Sequence, residues 1–325
     1  MSELREDPLT GRRVLIAENR AGRPNEYAAV AADLPADDSP RSDCVFCPGN
    51  EDQTPPSTFE STGSDGLWTV RSFANKYAAV SPGAGEHEVI VESRRHKWLT
   101  GQVTEPELAA VLVAYANRLA AFGADRRYPY GLVFKNVGAS AGASLTHLHS
   151  QAIALPQVPP LVAAEGERLQ SYHSTHGGCG WVDRVAEERS NASRIVLDHG
   201  EYVAFCPSAG RQPYETWVMP TDHQGSFEVA INSAEASHAL AATLLPVVRA
   251  VEGLIGAHGY NMGVHTAPHS SVGGAYSHWR IEIIPRIASL AGLELATGLF
   301  LNVLSPERAA ERLRAAIAQQ NPSSG

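Results

Sequence analysis

Three side chains able to do chemistry alternate along one short stretch: His147, His149 and Gln151, within Thr146–Ile153. In an extended strand alternate side chains share a face, so two imidazoles and an amide line one wall and Leu148 points to the other. An imidazole can serve as nucleophile, base or metal ligand. An amide can donate a hydrogen bond but cannot hand over a proton. The loop before the stretch, Gly138-Ala139-Ser140-Ala141-Gly142-Ala143-Ser144, holds only small residues. A phosphate could therefore come close to its backbone N–H groups. A buried polar row costs free energy unless something bonds or ligates it, which favours a site over a plain core strand.

A second constellation is Cys44-Val45-Phe46-Cys47-Pro48-Gly49. A lone Cys-x-x-Cys is half of a zinc site or a redox pair. The turn at Pro48-Gly49, where a redox motif would open a helix, favours a zinc knuckle that needs two further ligands. An internal duplication supplies them. Glu88 precedes His96 by the same interval at which Glu215 precedes His223, and each pair is followed by a capped helix, a Tyr-led strand, a small-residue loop and a His-bearing strand. With His147 set on His278, His149 falls on Arg280, Gln151 on Glu282, and Cys44 and Cys47 on Cys179 and Val182. Cys44, Cys47, His96 and His147 then form a complete tetrahedral set, whose closed shell makes the zinc structural. The second half offers Cys179, His223 and His278 for a second metal, with Val182 at the fourth place and His176 as a substitute. Arg280 cannot be a neutral nucleophile, so the first half is expected to react and the second to support it.

Around these residues the pattern predicts an α+β fold. It is a tandem duplication of one unit, an antiparallel sheet with flanking helices in each half, divided as 1–158 and 159–325. Strands are expected after Asp7-Pro8-Leu9-Thr10-Gly11 and at 68–73, 87–92, 130–136, 146–153, 195–197, 202–205, 216–220, 260–265 and 276–284. Thr104-Glu105-Pro106-Glu107 has capping-box spacing for a helix over about 105–123, and Asn232-Ser233-Ala234-Glu235 opens one to about 257, bent at Pro246. A polar helix over about 161–174 leads to Cys179 in a Gly-rich turn, and Pro306 starts the last helix. Residues 31–43 read as a linker, and Asn321–Gly325 as a disordered tail.

The 325 residues are 43% hydrophobic and 19% charged, a globular balance, with a net charge of −9. No basic stripe suits nucleic acid. No apolar run reaches membrane-spanning length and no signal-peptide pattern opens the chain, so a cytoplasmic protein is expected. An anionic substrate would need local donors; Arg20 and Arg23 could form a fork on phosphate oxygens or stay as solvated surface charges.

The segments at Asp7–Gly11, Cys44–Glu51, Phe134–Ser140, His147–Gln151 and Asn261–His265 together resemble the galactose-1-phosphate uridylyltransferase family of the histidine-triad superfamily. The resemblance covers nearly the whole chain. It implies that His149 attacks the α-phosphorus of a nucleotide sugar, assisted by Gln151, and that Cys44, Cys47, His96 and His147 hold zinc. It places Arg20, Arg23, Asn136, Gly142 and Ser144 at phosphate contacts and Asn75 in the nucleoside segment. It makes Glu294 a hexose-hydroxyl contact supplied across a homodimer interface. The stretch Phe134–Ser144 is similar to the ADP-glucose phosphorylase branch, which transfers an adenylyl group to phosphate; that branch would carry its second zinc cysteine at Val182. Iron is not expected, because Arg280 and Glu282 stand where an iron-type site wants histidines.

The implied reaction is ping-pong through a nucleotidyl-histidine, between a nucleotide sugar and hexose 1-phosphate. A UDP-glucose:hexose-1-phosphate uridylyltransferase is put first, with ADP-glucose phosphorylase as the alternative. A histidine-triad nucleotide hydrolase is opposed by Gln151, since water attack gains from a group that moves protons. A third reading, a zinc-stabilised nucleotide-binding module, predicts no turnover at all.

Overall fold

The computed structural model describes residues 2–20, 37–81, 83–271 and 274–320. Arg23, part of the expected linker and the tail from Asn321 lie outside the described residues.

The strands of the first half are β3 (Ser57–Thr62), β4 (Trp68–Ala74), β5 (Glu86–Val91), β6 (Tyr130–Val137), where buried and half-buried residues alternate, and β7 (His149–Leu155). Those of the second half are β8 (Ile195–Asp198), β9 (Tyr202–Phe205), β10 (Thr216–Pro220), β11 (Tyr260–His265) and β12 (Arg280–Pro285). Within the first half the lateral order is β3-β4-β5-β7-β6, and in the second it is β8-β9-β10-β12-β11. The two orders match strand for strand, so the duplication inferred from spacing is present as topology. A long helix follows the third strand of each repeat, α1 (Glu105–Ala124) and α5 (Ala234–Ile255); the short α4 (Phe227–Ala230) precedes α5 and the short α6 (Gly292–Thr297) follows β12.

The halves do not keep separate sheets, as the sequence led us to expect. β6 pairs antiparallel with β11, with Asn136 opposite Asn261, and the result is one ten-stranded antiparallel sheet. The pairing leaves neither of these strands as an open edge. The division at 158/159 falls in the connection from β7 to α2 (Pro160–His176). The N-terminal strands β1 (Glu3–Glu6) and β2 (Arg13–Ile16) join β13 (Phe300–Asn302) in a small separate sheet. The turn between β1 and β2 packs on the second half: Leu9 lies in a cluster with Trp181 and Trp217.

Thr104 and Glu107 cap α1 reciprocally, as their spacing predicted, a contact worth about 1 kcal/mol. Leu108, Val111, Leu112, Tyr115 and Leu119 turn its apolar face onto Val70, Ile90, Val133 and Ala152 of the sheet. On α5, Leu240, Leu244, Val248 and Val251 do the same against the second half, and Pro246 lies inside the helix. Both helices are long and apolar enough to cross a bilayer by length and composition, which the sequence reading had not anticipated. More than half of each is buried within the fold, and α7 (Pro306–Gln320) packs on α5 through Leu313.

The opposite face of the sheet differs between the halves. The second half is covered by α2 and α3 (Gly180–Asn191). Helix α3 was not foreseen, because only Trp181, Val182 and Val185 of its residues join the apolar cluster, too few to show a helical period. Its end is also hidden: Ala192, where a glycine is usual, takes the left-handed conformation at φ 57°. Beneath these helices Arg280 is 2% exposed. It grips Glu165 at 2.6 and 2.9 Å and Glu282 at 2.8 Å, between the rings of Trp181 and Trp217. Arg12 and Arg211 pair with Glu215, and Arg211 also reaches Glu282. At the place that corresponds to His149, then, the second half has a closed ion cluster. Arg280→Met is expected to lower stability by about 3–5 kcal/mol, read by denaturant unfolding, because it takes a cation from fully buried Glu282 and from half-buried Glu165. A loss under about 1 kcal/mol would mean that Arg12 and Arg211 suffice.

A candidate active site beside a candidate metal centre

The reactive wall comes from β7 and the turn before it. The strand starts at His149, later than the expected Thr146, because His147 leaves the pleat toward the cysteine loop. Leu148 still drops into the core, tied by its N–H to the Lys97 carbonyl at 2.7 Å. From the helix side Ser150 and Tyr115 both bond Glu92, which also pairs with fully buried Lys135. The strand is thus held from behind while His149 and Gln151 face outward.

Cys44, Cys47, His96 and His147 converge as the spacing predicted, with all four donor atoms within 4.8 Å of one another. The Cys47 sulfur lies 3.3 Å from His96 Nδ1 and 3.5 Å from His147 Nδ1, and Cys44 sulfur 3.5 Å from His147 Nδ1. Donors on a tetrahedral zinc sit roughly 3.5 Å apart, so this cluster has the span of a metal shell. Burial pushes the Cys47 thiol up to about 11, with Cys44 adding to the shift, and lowers His147 to about 4. Neutral imidazole is the ligating form, and a dication reverses the preference of the thiols. His147 Nε2 donates to the Ser93 carbonyl at 2.8 Å, which orients the ring with Nδ1 toward the sulfurs.

The second candidate set is less compact. His223 and His278 are neighbours with ring centroids 6.2 Å apart, while Cys179 donates to the Tyr276 carbonyl at 3.6 Å. Among the described residues the four-ligand cluster of the first half is the one group of Cys, His and acidic donors close enough for an ion. His176 lies at the end of α2, its Nδ1 bonded to the Tyr172 carbonyl.

His149 Nδ1 donates to the His147 carbonyl at 2.8 Å. That bond puts the proton on Nδ1 and leaves the Nε2 lone pair free. Burial holds the imidazole below its usual range, so it is neutral near pH 7. Phe46 packs at its side with the rings tilted, 5.3 Å between centroids. Two cavities meet at His149. One, about 410 Å³, is lined by Phe46, Phe73, Asn75, Gly142, Ser144 and Gln151 among others. The other, about 640 Å³, runs past Asn136, Gly138, Ser144 and His258. Gly138 and Gly142 shape the turn between them with φ of 82° and 87°, and a side chain on Gly138 would meet the backbone of Gly259.

Of the residues singled out from sequence, His149, Gln151, Asn75, Asn136, Gly142 and Ser144 are brought together. Arg20 and Glu294 are not: they line another cleft, about 640 Å³, with Leu15, Ala17, Leu293 and Leu301. Sequence reasoning passed over Phe46 and Phe73, although Phe46 stands inside the cysteine loop. It also passed over His87, which lies 2.9 Å from Gln151 and carries no motif of its own.

The family model for a domain of unknown function (DUF4921) matches residues 72–323. The ADP-glucose phosphorylase of Arabidopsis thaliana is 30% identical over 96% of this chain and 92% of its own length. The galactose-1-phosphate uridylyltransferase of Haemophilus influenzae is 28% identical over 96% of this chain and 93% of its own. Among solved structures, the Arabidopsis ADP-glucose phosphorylase with bound ADP-glucose superposes with a TM-score of 0.83 at 29% identity, covering 97% of this chain and 98% of that one. A uridylyltransferase gives 0.74 at 26% identity, covering 98% and 100%. Sheet topology, outward histidine and relatives together define a nucleotidyl-transfer class of enzyme folds. Within that class, the chain belongs to the family that includes galactose-1-phosphate uridylyltransferase and ADP-glucose phosphorylase.

Proposed function

We propose that the protein moves a nucleoside monophosphate from a nucleoside diphosphate sugar to a phosphate acceptor, through a covalent bond to His149. The observation that carries this reading is the 2.8 Å bond from His149 Nδ1 to the His147 carbonyl. His149 Nε2 attacks the α-phosphorus; a P–N bond forms and the bond to the bridging oxygen breaks. The sugar 1-phosphate leaves as its own anion and needs no proton. The ring becomes cationic, and its Nδ1–H bond to the carbonyl strengthens. In the second half-reaction an acceptor phosphate oxygen displaces Nε2 and returns the ring to neutral. Ser144 and the amides of Asn136 and Gln151 supply donors to the phosphoryl oxygens. Gln151 suits transfer over hydrolysis, since it cannot deprotonate water.

Zinc is the ion we assign to Cys44, Cys47, His96 and His147; two thiolates and two imidazoles favour it. Its role is to fix His147, whose carbonyl orients the nucleophile. The position of Arg20 and Glu294 supports a homodimer that carries their cleft, with exposed Leu293 and Leu295 beside it, to the partner's site.

The sequence reading put a uridine nucleotide first. The greater likeness to the Arabidopsis enzyme, in identity and in fold, leads us to put adenine first, with inorganic phosphate as acceptor; UDP-glucose and hexose 1-phosphate form the second reading. The test uses ADP-glucose and UDP-glucose, each labelled at the α-phosphate. Acid-labile, alkali-stable label on His149 from ADP-glucose is the expected result. Label from UDP-glucose alone would exchange the two readings, and label from neither would end both.

A further inference from the structure

Two amides flank the nucleophile, and an amide is useful to a phosphate only when its NH2 faces it. Flipped, the same side chain would aim a carbonyl oxygen at an anion. The orientation of each is set by a chain of hydrogen bonds ending on a backbone group that cannot flip.

The first chain starts at Ala79. Its N–H donates to His87 Nδ1 at 2.9 Å, so Nδ1 accepts. In neutral imidazole the proton then sits on Nε2, which lies 2.9 Å from Gln151 Oε1. The Gln151 atom held by His87 is therefore oxygen, and its NH2 is left for the cavity. Asn75 Nδ2, 3.4 Å from the same nitrogen, is too distant to displace that bond. The second chain starts at Ala141, whose carbonyl can only accept. Asn261 Nδ2 donates to it at 2.9 Å and donates its other hydrogen to Asn136 Oδ1 at 2.8 Å. Asn136 is thereby fixed with Nδ2 free, turned toward Gly142. Asn261 belongs to β11, on the far side of the seam between the halves, directly opposite Asn136.

We propose that His87 and Asn261 are positioning residues that fix the polarity of Gln151 and Asn136, so that both present N–H donors to the phosphoryl oxygens of the nucleotide. This rests on the nucleotidyl-transfer reading above and deepens it. The second half, lacking a nucleophile, then contributes through Asn261 one side chain on which the chemistry of the first depends.

The experiment measures the rate constant for charging His149 from α-labelled ADP-glucose and UDP-glucose. Asn261→Asp removes the donor and invites Asn136 to flip; His87→Phe frees Gln151. Each is expected to slow charging roughly 10- to 100-fold, a fraction of what deleting an oxyanion donor costs. The decisive arm is the double mutant. On an Asn136→Ala background, Asn261→Asp should cost less than about threefold, and likewise His87→Phe on Gln151→Ala, because a residue acting through another loses its effect when that other is gone. Full losses in both backgrounds would show general structural damage and overturn the proposal, as would single variants that charge at the normal rate. If one variant fails to fold, the other chain still decides. Wild-type protein that never charges would instead defeat the nucleotidyl-transfer reading itself, a result distinct from normal charging by the variants.

Discussion

Replacing His149 by Gly is expected to remove covalent charging altogether and to slow overall transfer on the order of 10⁶-fold, the scale seen when a covalent nucleophile is deleted. The size of the effect follows from its position. Nε2 is the free ring nitrogen of a neutral imidazole at the junction of the two cavities. Gln151 cannot form the covalent intermediate in its place, and His147 has both ring nitrogens committed, one to the Ser93 carbonyl and one to the cysteine cluster. The loss should be confined to chemistry. His149 lies outside the four-ligand cluster, so metal content and unfolding midpoint are expected to stay within error of the wild type. A variant that still takes up labelled nucleotide would move the nucleophile elsewhere. A wild-type protein that binds nucleotide and turns nothing over would make it a binding module.

What could be read from the sequence was whatever repeats or alternates. The tandem unit was legible because Glu88, His96 and His147 recur as Glu215, His223 and His278, and the strand orders repeat accordingly. The convergence of Cys44, Cys47, His96 and His147 was legible because metal-ligand types are few and their count must close at four. The fusion of the halves into one sheet was not legible. Pairing of β6 with β11 is a non-local choice, and no turn between them announces it. Helix α3 and the short strands β1 and β13 carry too few apolar residues for a period to show. Arg20 and Glu294 were placed by resemblance, and within one chain they lie in a cleft sharing no lining residue with the cavities at His149. The roles of His87 and Asn261 depend on which end of an amide faces which neighbour, and no residue pattern encodes that.

Opening the cysteine cluster should damage both stability and rate, in that order of directness. Cys47 is 1% exposed and its sulfur faces both His96 and His147, so Cys47→Ser removes the ligand at the centre of the set. A closed structural site contributes folding free energy directly. Its loss is expected to cost about 4 kcal/mol or more, a fall of roughly 10 °C in the unfolding midpoint. The first-half loop is pinned by this cluster together with the small patch formed by Phe46, Phe73, Val89 and Val91, which cannot hold it as firmly alone. The rate should follow by a specific route. With His147 no longer ligated, its carbonyl drifts, and the His149 ring it orients drifts with it; a misplacement of about 1 Å costs roughly 10²-fold. Elemental analysis should find one ion per chain in the wild type and in His149→Gly, and none in Cys47→Ser. Chelator added to the wild type should reproduce the slow charging while most helix signal remains, because α1 and α5 pack on the far face of the sheet. Charging at the normal rate by a metal-free chain would break the link between the cluster and the nucleophile, whatever the thermal shift turned out to be.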